Sequence, residues 1–400
     1  MVRRPGADGD RADGPPRPVG RDPARALAGA GPSRAPRAPS RRRGGPPHPV
    51  RALSRGRSLD VGPGVPGSPR PVGMKSIGLV GVPYSGKSTL FTALTRSGAA
   101  GGRANQAVVP VPDDRLGVLA SLEGSARIVP AQVRFVDVPG GATGQGLAAL
   151  RETDALCVVL RAFGVDARPA KELEEVSAEL ILADLAVAES ALEGARKRAK
   201  GRSPGVSEEA EALEHAHAVL SGERPLREEA FTDTERASLR GLALLTMKPV
   251  IVVANLEEGG MVPADLPPGT VGVWAEIEAE TASMQDEEAR ALLAEFGVTR
   301  PGLDAVVAAS YRALDLVTFL TTGPDETRAW EVRKGATAPE AAGVVHSDMQ
   351  RGFIRAEVVG YEDVVAAGGW DAAQARGRLR VEGKDYVVRE GDVLHIRFAV

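Results

Sequence analysis

From Met74 onward, apolar runs of strand length alternate with segments of helical period. Ser76-Ile-Gly-Leu-Val80, Arg134-Phe-Val-Asp-Val138, Ala155 to Leu160, Pro249 to Ala254 and Thr270-Val-Gly-Val-Trp274 are short and mostly apolar. Such runs, separated by helices, predict strands buried on both faces, and hence a parallel-type sheet in a doubly wound α/β domain. Thr89 to Thr95 reads as the helix after the first strand. Leu185, Ala188, Leu192, Ala195 and Ala199 recur at spacings of three and four, a helical seam. A break at Gly201-Arg-Ser-Pro-Gly205 and a second helical stretch, Ser207 to Leu220, predict an antiparallel helical hairpin inserted into that domain. The chain ends in short strand-like runs, Arg378-Leu-Arg-Val381, Tyr386-Val-Val388 and Val393 to Phe398, punctuated by Glu382-Gly383 and Glu390-Gly391-Asp392. These predict a compact α+β module. The expected division is this α/β domain over 74–170 and 242–314, a helical insertion over 171–241 and a C-terminal module over 315–400.

Composition changes the picture mainly at the N-terminus. The formal charge is −3, yet residues 1–73 hold 15 arginines, no lysine and five aspartates, which is +10 and leaves −13 on the remainder. The same stretch carries 15 of the 30 prolines. It has too little apolar surface to offset its ordering entropy and is expected to be disordered. It reads as a basic nucleic-acid-binding arm, a targeting peptide, or sequence upstream of a true start at Met74. The last is favoured, because its Pro and Gly suit neither a secretory core nor a transit helix. No apolar run approaches the roughly 18 residues of a membrane span, so no membrane partner is expected, nor is sequence-specific DNA. The single cysteine, Cys157, lies in an apolar run; a disulfide framework is excluded, which fits a cytoplasmic setting. The five histidines show no metal-ligand spacing, which argues against zinc.

The candidate chemistry begins at Gly81-Val-Pro-Tyr-Ser-Gly-Lys-Ser88, a complete GxxxxGK[ST] loop between a strand and a helix. Gly81 and Gly86 let successive N–H groups wrap a phosphate chain, and the helix N-terminus adds positive potential. Lys87 would reach the β/γ-phosphates, and the Ser88 hydroxyl would bind Mg²⁺. Asp137-Val-Pro-Gly140 is a DxxG at a strand end, where the Asp would hold Mg²⁺ through water and the Gly140 N–H would sense the γ-phosphate. After the strand ending at Ala254, Asn255-Leu-Glu-Glu258 stands where GTPases place Asn-Lys-x-Asp. A guanine-reading Asp accepts from N1–H and N2–H₂, donors that adenine lacks. Glu258 and Leu256 alter that reader and argue against strict guanine specificity. Ala275-Glu276, after the next strand, would line the base. The candidate site thus comprises Gly81, Tyr84, Ser85, Gly86, Lys87, Ser88, Thr89, Gly140, Asn255, Leu256, Glu258 and Ala275 for ATP, with Ser88 and Asp137 for Mg²⁺ and Lys87 and Asp137 as catalytic groups.

From Met74 to Val400 the chain resembles the Obg-like ATPase family of the YchF type. The resemblance rests on Gly86-Lys-Ser-Thr-Leu-Phe91, Phe135-Val-Asp137, Arg151-Glu-Thr-Asp-Ala155, Asn255-x-x-Glu258 and Arg328-Ala-Trp330. The C-terminal runs Lys334 to Pro339, Ala341 to Gly343, Arg351 to Ala356 and Glu382 to Tyr386 are its most specific part. The resemblance implies ATP preferred over GTP, a coiled-coil insertion, a C-terminal TGS module of β-grasp fold, and association with ribosomes. Candidate ribosome contacts are Arg196, Lys197, Arg198, Lys200 and Arg202 at the hairpin tip, with Arg351 and Arg355, unless these cations only solvate their surfaces.

The chain also departs from the family. Tyr84 stands where members carry Asn, and no counterpart of the switch-I threonine occurs between Gly101 and Pro112. The loop after Phe163 lacks a histidine that some members present to the γ-phosphate, and Gly141 stands where small GTPases hold a water-positioning Gln. Three functions therefore stay open: a slow ATPase switch, which is favoured; a nucleotide-gated ribosome-binding protein with negligible turnover; and an Obg-type GTPase.

Overall fold

The computed structural model describes residues 74–97, 106–138, 144–199, 205–281, 284, 286–296 and 301–399. The Arg- and Pro-rich stretch, Gly140, Gly141, Lys200 and Arg202 lie outside the described residues. In chain order, β1 (Ser76–Val80) leads through α1 (Lys87–Ser97) to β2 (Gln106–Pro110), then α2 (Asp114–Glu123), the two-residue β3 (Ile128–Val129) and β4 (Gln132–Asp137). There follow α3 (Gly144–Arg151), β5 (Ala155–Ala162), the long α4 (Pro169–Ala199), α5 (Gly205–Ser221) and α6 (Asp233–Leu239). Next come β6 (Val250–Leu256), β7 (Val271–Val273), α7 (Ala275–Thr281), α8 (Asp286–Glu295) and α9 (Gly302–Ala313). The last part runs β8 (Leu316–Thr321), β9 (Thr327–Arg333), α10 (Ala338–Val345), α11 (Ser347–Arg351), β10 (Phe353–Gly360), α12 (Tyr361–Ala367), α13 (Trp370–Ala375), β11 (Arg380–Glu382) and β12 (Asp392–Phe398).

The first sheet has the order β2-β4-β1-β5-β6-β7. Its apolar strands are buried on both faces because successive side chains alternate between two cores. Ile77 and Leu79 of β1 pack with Leu90 and Leu94 of α1, whereas Val80 joins Leu150, Leu156 and Leu160 on the opposite face. The parallel-type expectation needs one amendment: β2 pairs antiparallel with β4, so the sheet is mixed. Gln106-Ala-Val-Val-Pro110 buries only Ala107 and Val109, the alternation of a half-covered edge strand, which a search for continuous apolar runs passes over.

The helical seam forms a hairpin, with Ala188, Leu192 and Ala195 of α4 against Ala212, Leu213, Ala216 and Val219 of α5. Ion pairs Arg196–Glu214 (2.8 Å) and Arg198–Glu209 (2.9 Å) cross between the helices in antiparallel register.

The second sheet has the order β11-β10-β12-β8-β9-β3. One face packs Phe319, Val332, Phe353 and Leu394 on Ala338, Ala341 and Ala342 of α10. The other contributes Leu320, Ala329, Val359 and Val393 to the core that holds β1 and α9. The two sheets are also stitched directly. β3, between α2 and β4, pairs parallel with β9 through Ile128↔Thr327, Arg115 bridges to Glu390 at 2.7 Å, and the Trp370 N–H donates to Glu123 Oε1 at 2.6 Å. Of the three strand-like runs read near the C-terminus, Tyr386-Val-Val388 forms no strand. It makes a single bridge, Thr337↔Val387.

Candidate nucleotide-binding site

The loop after β1 lies at the C-terminal edge of the first sheet, where β4, β5 and β6 also end. In open α/β sheets that edge is where ligands collect. The loop begins with a turn in which Ser85 N donates to the Val82 carbonyl at 3.4 Å, with Pro83 and Tyr84 between them. Tyr84 has φ 65° and Gly86 has φ 89°. Gly86 has a second reason to be glycine: a Cβ there would collide with Asn255 Nδ2.

Lys87, the first residue of α1, turns its ammonium back onto the Gly81 and Val82 carbonyls, each at 2.8 Å. Burial lowers its pKa, opposed by the negative charges of Asp137 and Glu172. Asp137 ends β4, and its carboxyl is raised by burial and lowered by Lys87. Lys87 and Asp137 are therefore partly desolvated groups of opposite charge in one another's field. Ser88 is exposed, Thr89 is half-buried beside it, and Ser85 is fully buried with an unpartnered Oγ.

Asn255, 7% exposed, comes from the end of β6 and is a tie rather than a free reader. Its Nδ2 donates to Ser85 O at 3.2 Å, and its Oδ1 accepts from Ala275 N, at the start of α7, at 3.3 Å. One amide thus holds together the phosphate loop and the segment expected beside the base. Leu256 places its side chain in the core, where it leaves room only for glycine at Gly272. Glu258 stands exposed on the turn that follows.

Two neighbours were not read from the sequence. Glu172, in the first turn of α4, is 8% exposed and accepts from Arg161 N at 2.8 Å and Nε at 3.4 Å. It thereby fixes the end of β5 to the root of the hairpin. Its only local signal is an acid in a helix's first turn, which is common for dipole reasons alone. Glu278 on α7, 1% exposed, accepts from Gly302 N and Leu303 N at the start of α9, which secures the helix that Asn255 grips.

Ser88 and Asp137 supply hard oxygen donors of the kind that bind Mg²⁺ together with substrate phosphates. No group of three His, Cys, Asp or Glu able to cage a metal occurs among the described residues. The fit is thus to an ion shared with a ligand rather than to a protein-only cage.

A phosphate loop between a buried parallel strand and a helix, a carboxylate at the end of the neighbouring strand, and an Asn tying loop to base side define a P-loop nucleotide-binding protein. Comparison with known proteins narrows that class. Residues 76–189 match the family model described as "50S ribosome-binding GTPase", and residues 316–399 match YchF-GTPase_C, described as "Protein of unknown function (DUF933)". The chain is 39% identical over 364 residues to the "Ribosome-binding ATPase YchF" of Bacillus subtilis, spanning 81% of this chain and 99% of that one. The protein of the same name from Escherichia coli O157:H7 is 37% identical over 358 residues, with the same coverage. The solved structure of the Schizosaccharomyces pombe YchF GTPase superposes with TM-score 0.75 at 30% identity, covering 82% of this chain and 99% of that one. The chain belongs to the YchF family.

Proposed function

We propose that the protein is an ATPase of slow turnover that binds ribosomes and changes that engagement with its nucleotide state. The observation that carries the reading is the convergence of Lys87, Asp137 and the Asn255 tie at one sheet edge. The names of the relatives supply the substrate and the partner. ATP takes Lys87 from the loop carbonyls, which replaces two neutral acceptors by a triphosphate. The loop amides and Lys87 then stabilise charge on the transferring phosphoryl. Ser88 and Asp137 would hold Mg²⁺, which would supply neutralisation of charge on the bound phosphates. Tyr84, Ser85, Gly86 and Thr89 form the phosphate cradle with Gly81, and Gly140 senses the γ-phosphate. Leu256 reaches the base through its backbone and Glu258 through its side chain, with Ala275 beside them, and this set favours ATP over GTP. The hairpin acts as a coiled coil, the module after residue 315 as a TGS domain, the large subunit as the docking partner and the cytoplasm as the setting.

Titration with ATP and GTP, paired with single-turnover hydrolysis and ribosome co-sedimentation, tests the reading. ATP should bind more tightly, and Lys87→Ala should lose affinity and hydrolysis together. Tighter binding of GTP, or hydrolysis unaffected by Lys87→Ala, would sink it.

A further inference from the structure

Tyr84 is placed where its own backbone disfavours it. Val82, Pro83, Tyr84 and Ser85 form a turn closed by Ser85 N to Val82 O, with proline second and a residue of φ 65° third. That third position of a type II turn suits Gly or Asn, because a positive φ brings the Cβ of any larger residue against the backbone. Bulky side chains held there are outliers that persist only where something compensates their cost, and they cluster at functional sites. No contact among the described residues does so here. The Tyr84 side chain is 90% exposed, so it returns no packing, and no described residue is bonded to its hydroxyl. Gly86, two residues on, also has positive φ, but as a glycine carries no such cost.

The position of the turn says what the side chain is for. Val82 O accepts both Ser85 N and Lys87 Nζ, so the turn bearing Tyr84 is the one the phosphate-binding lysine grips. When Lys87 moves to a triphosphate, the turn remains directly beside the phosphates. It carries one long side chain with a neutral O–H donor and no competing partner. We propose that Tyr84 closes over the β/γ end of the bound triphosphate and donates its phenolic hydrogen bond to a phosphate oxygen, and that this contact strengthens as charge develops during hydrolysis. The inference rests on the ATPase reading above and adds to it the residue that covers the phosphates. The phenol supplies a donor without adding charge, and the free protein carries the strain that the bound state makes useful.

The test uses the full chain with Tyr84→Phe, Tyr84→Asn and Tyr84→Ala, and three readouts: melting temperature without nucleotide, ATP affinity by calorimetry, and single-turnover hydrolysis of MgATP. Tyr84→Asn should raise the melting temperature of the free protein while slowing hydrolysis, a split that a purely structural residue would not produce. Tyr84→Phe keeps the strain and the ring, so melting should not change, whereas hydrolysis should slow roughly 100- to 1000-fold, as for loss of one preorganised donor. Hydrolysis by Tyr84→Phe at the wild-type rate overturns the proposal. So does normal behaviour of Tyr84→Phe combined with lost affinity in Tyr84→Ala, which would assign the ring to stacking. A wild-type chain that neither binds nor hydrolyses ATP overturns the ATPase reading itself and is seen before any variant is compared.

Discussion

Arg151 Nη1 lies 2.7 Å from Asp184 Oδ1, joining the end of the helix that follows the DxxG loop to the middle of the hairpin helix. Asp184 is wholly buried and also accepts from Thr246 N at 2.7 Å and Thr246 Oγ1 at 2.8 Å. Arg151 donates further to Ala183 O and Ala243 O. Lys248 closes the knot by donating to the carbonyls of Leu150 and Arg151, which end α3, and of Thr153 just beyond it. Three segments thus meet: the helix after the DxxG loop, the hairpin and the entry to β6, the strand that carries Asn255.

Asp184→Ala should cost about 3–5 kcal/mol in denaturant unfolding, since removing one partner strands a largely buried guanidinium and two Thr246 donors. Combining it with Arg151→Met should recover part of the loss. Strict additivity of the two would show that the pair is not coupled.

At the phosphate loop, Gly86→Ala should abolish ATP binding, because the new Cβ meets Asn255 and the backbone is at φ 89°. Asn255→Ala should keep the fold and weaken ATP by about 10-fold, roughly one backbone-directed hydrogen bond. Calorimetric titration separates the two, and an unchanged affinity in Asn255→Ala would show that the loop needs no tie.

The contact between the two sheets should be pH-sensitive through Glu331. Burial pushes its carboxyl up to about 7, opposed by the Gln132 N–H it accepts and by the charge of Lys75. Below its ordinary value near 4.5 both the folded and unfolded chains hold the proton, so the stability is fully present. Between about 4.5 and 7 the unfolded chain releases the proton first, and stability falls as pH rises. Glu331→Gln should therefore match the wild type near pH 4.5 and exceed it above pH 7, by up to about 3 kcal/mol. Denaturation midpoints across that range check it, and an equal offset at every pH would remove Glu331 as the cause.

At the hairpin tip, the structure bears on the proposed ribosome contact. Arg196 and Arg198 are paired with Glu214 and Glu209, and Lys197 lies 3.6 Å from Glu193. Arg351 pairs with Asp348, and Arg355 with Glu357 at 3.4 Å. Each would have to give up an acid to reach RNA phosphate. Neutralising Arg196, Lys197 and Arg198 together should weaken co-sedimentation and flatten its salt dependence by about 0.7–0.9 decades per lost phosphate contact. An unchanged salt series would assign these cations to holding the hairpin.

The sequence by itself determined the phosphate loop, because GxxxxGK[ST] is local: strand, turn and helix N-terminus occupy one short continuous segment whose geometry the residues dictate. It also determined the central buried strands, whose apolar runs declare burial on both faces, and the hairpin, whose 3.6-residue period is written along each helix. The tertiary structure alone decided what lies across the gaps. β3 is two residues long and has no pattern of its own until β9 receives it. Asn255 reads as a base contact in its motif, yet its amide is committed to Ser85 and Ala275, residues 170 and 20 positions away. Glu172 and Asp184 look like ordinary acids on a solvated helix until folding brings Arg161 and Arg151 against them. Periodicity records which side of an element is buried. Which element covers it, and which buried charge finds which partner, depends on packing between segments far apart in the chain, and no local pattern encodes that.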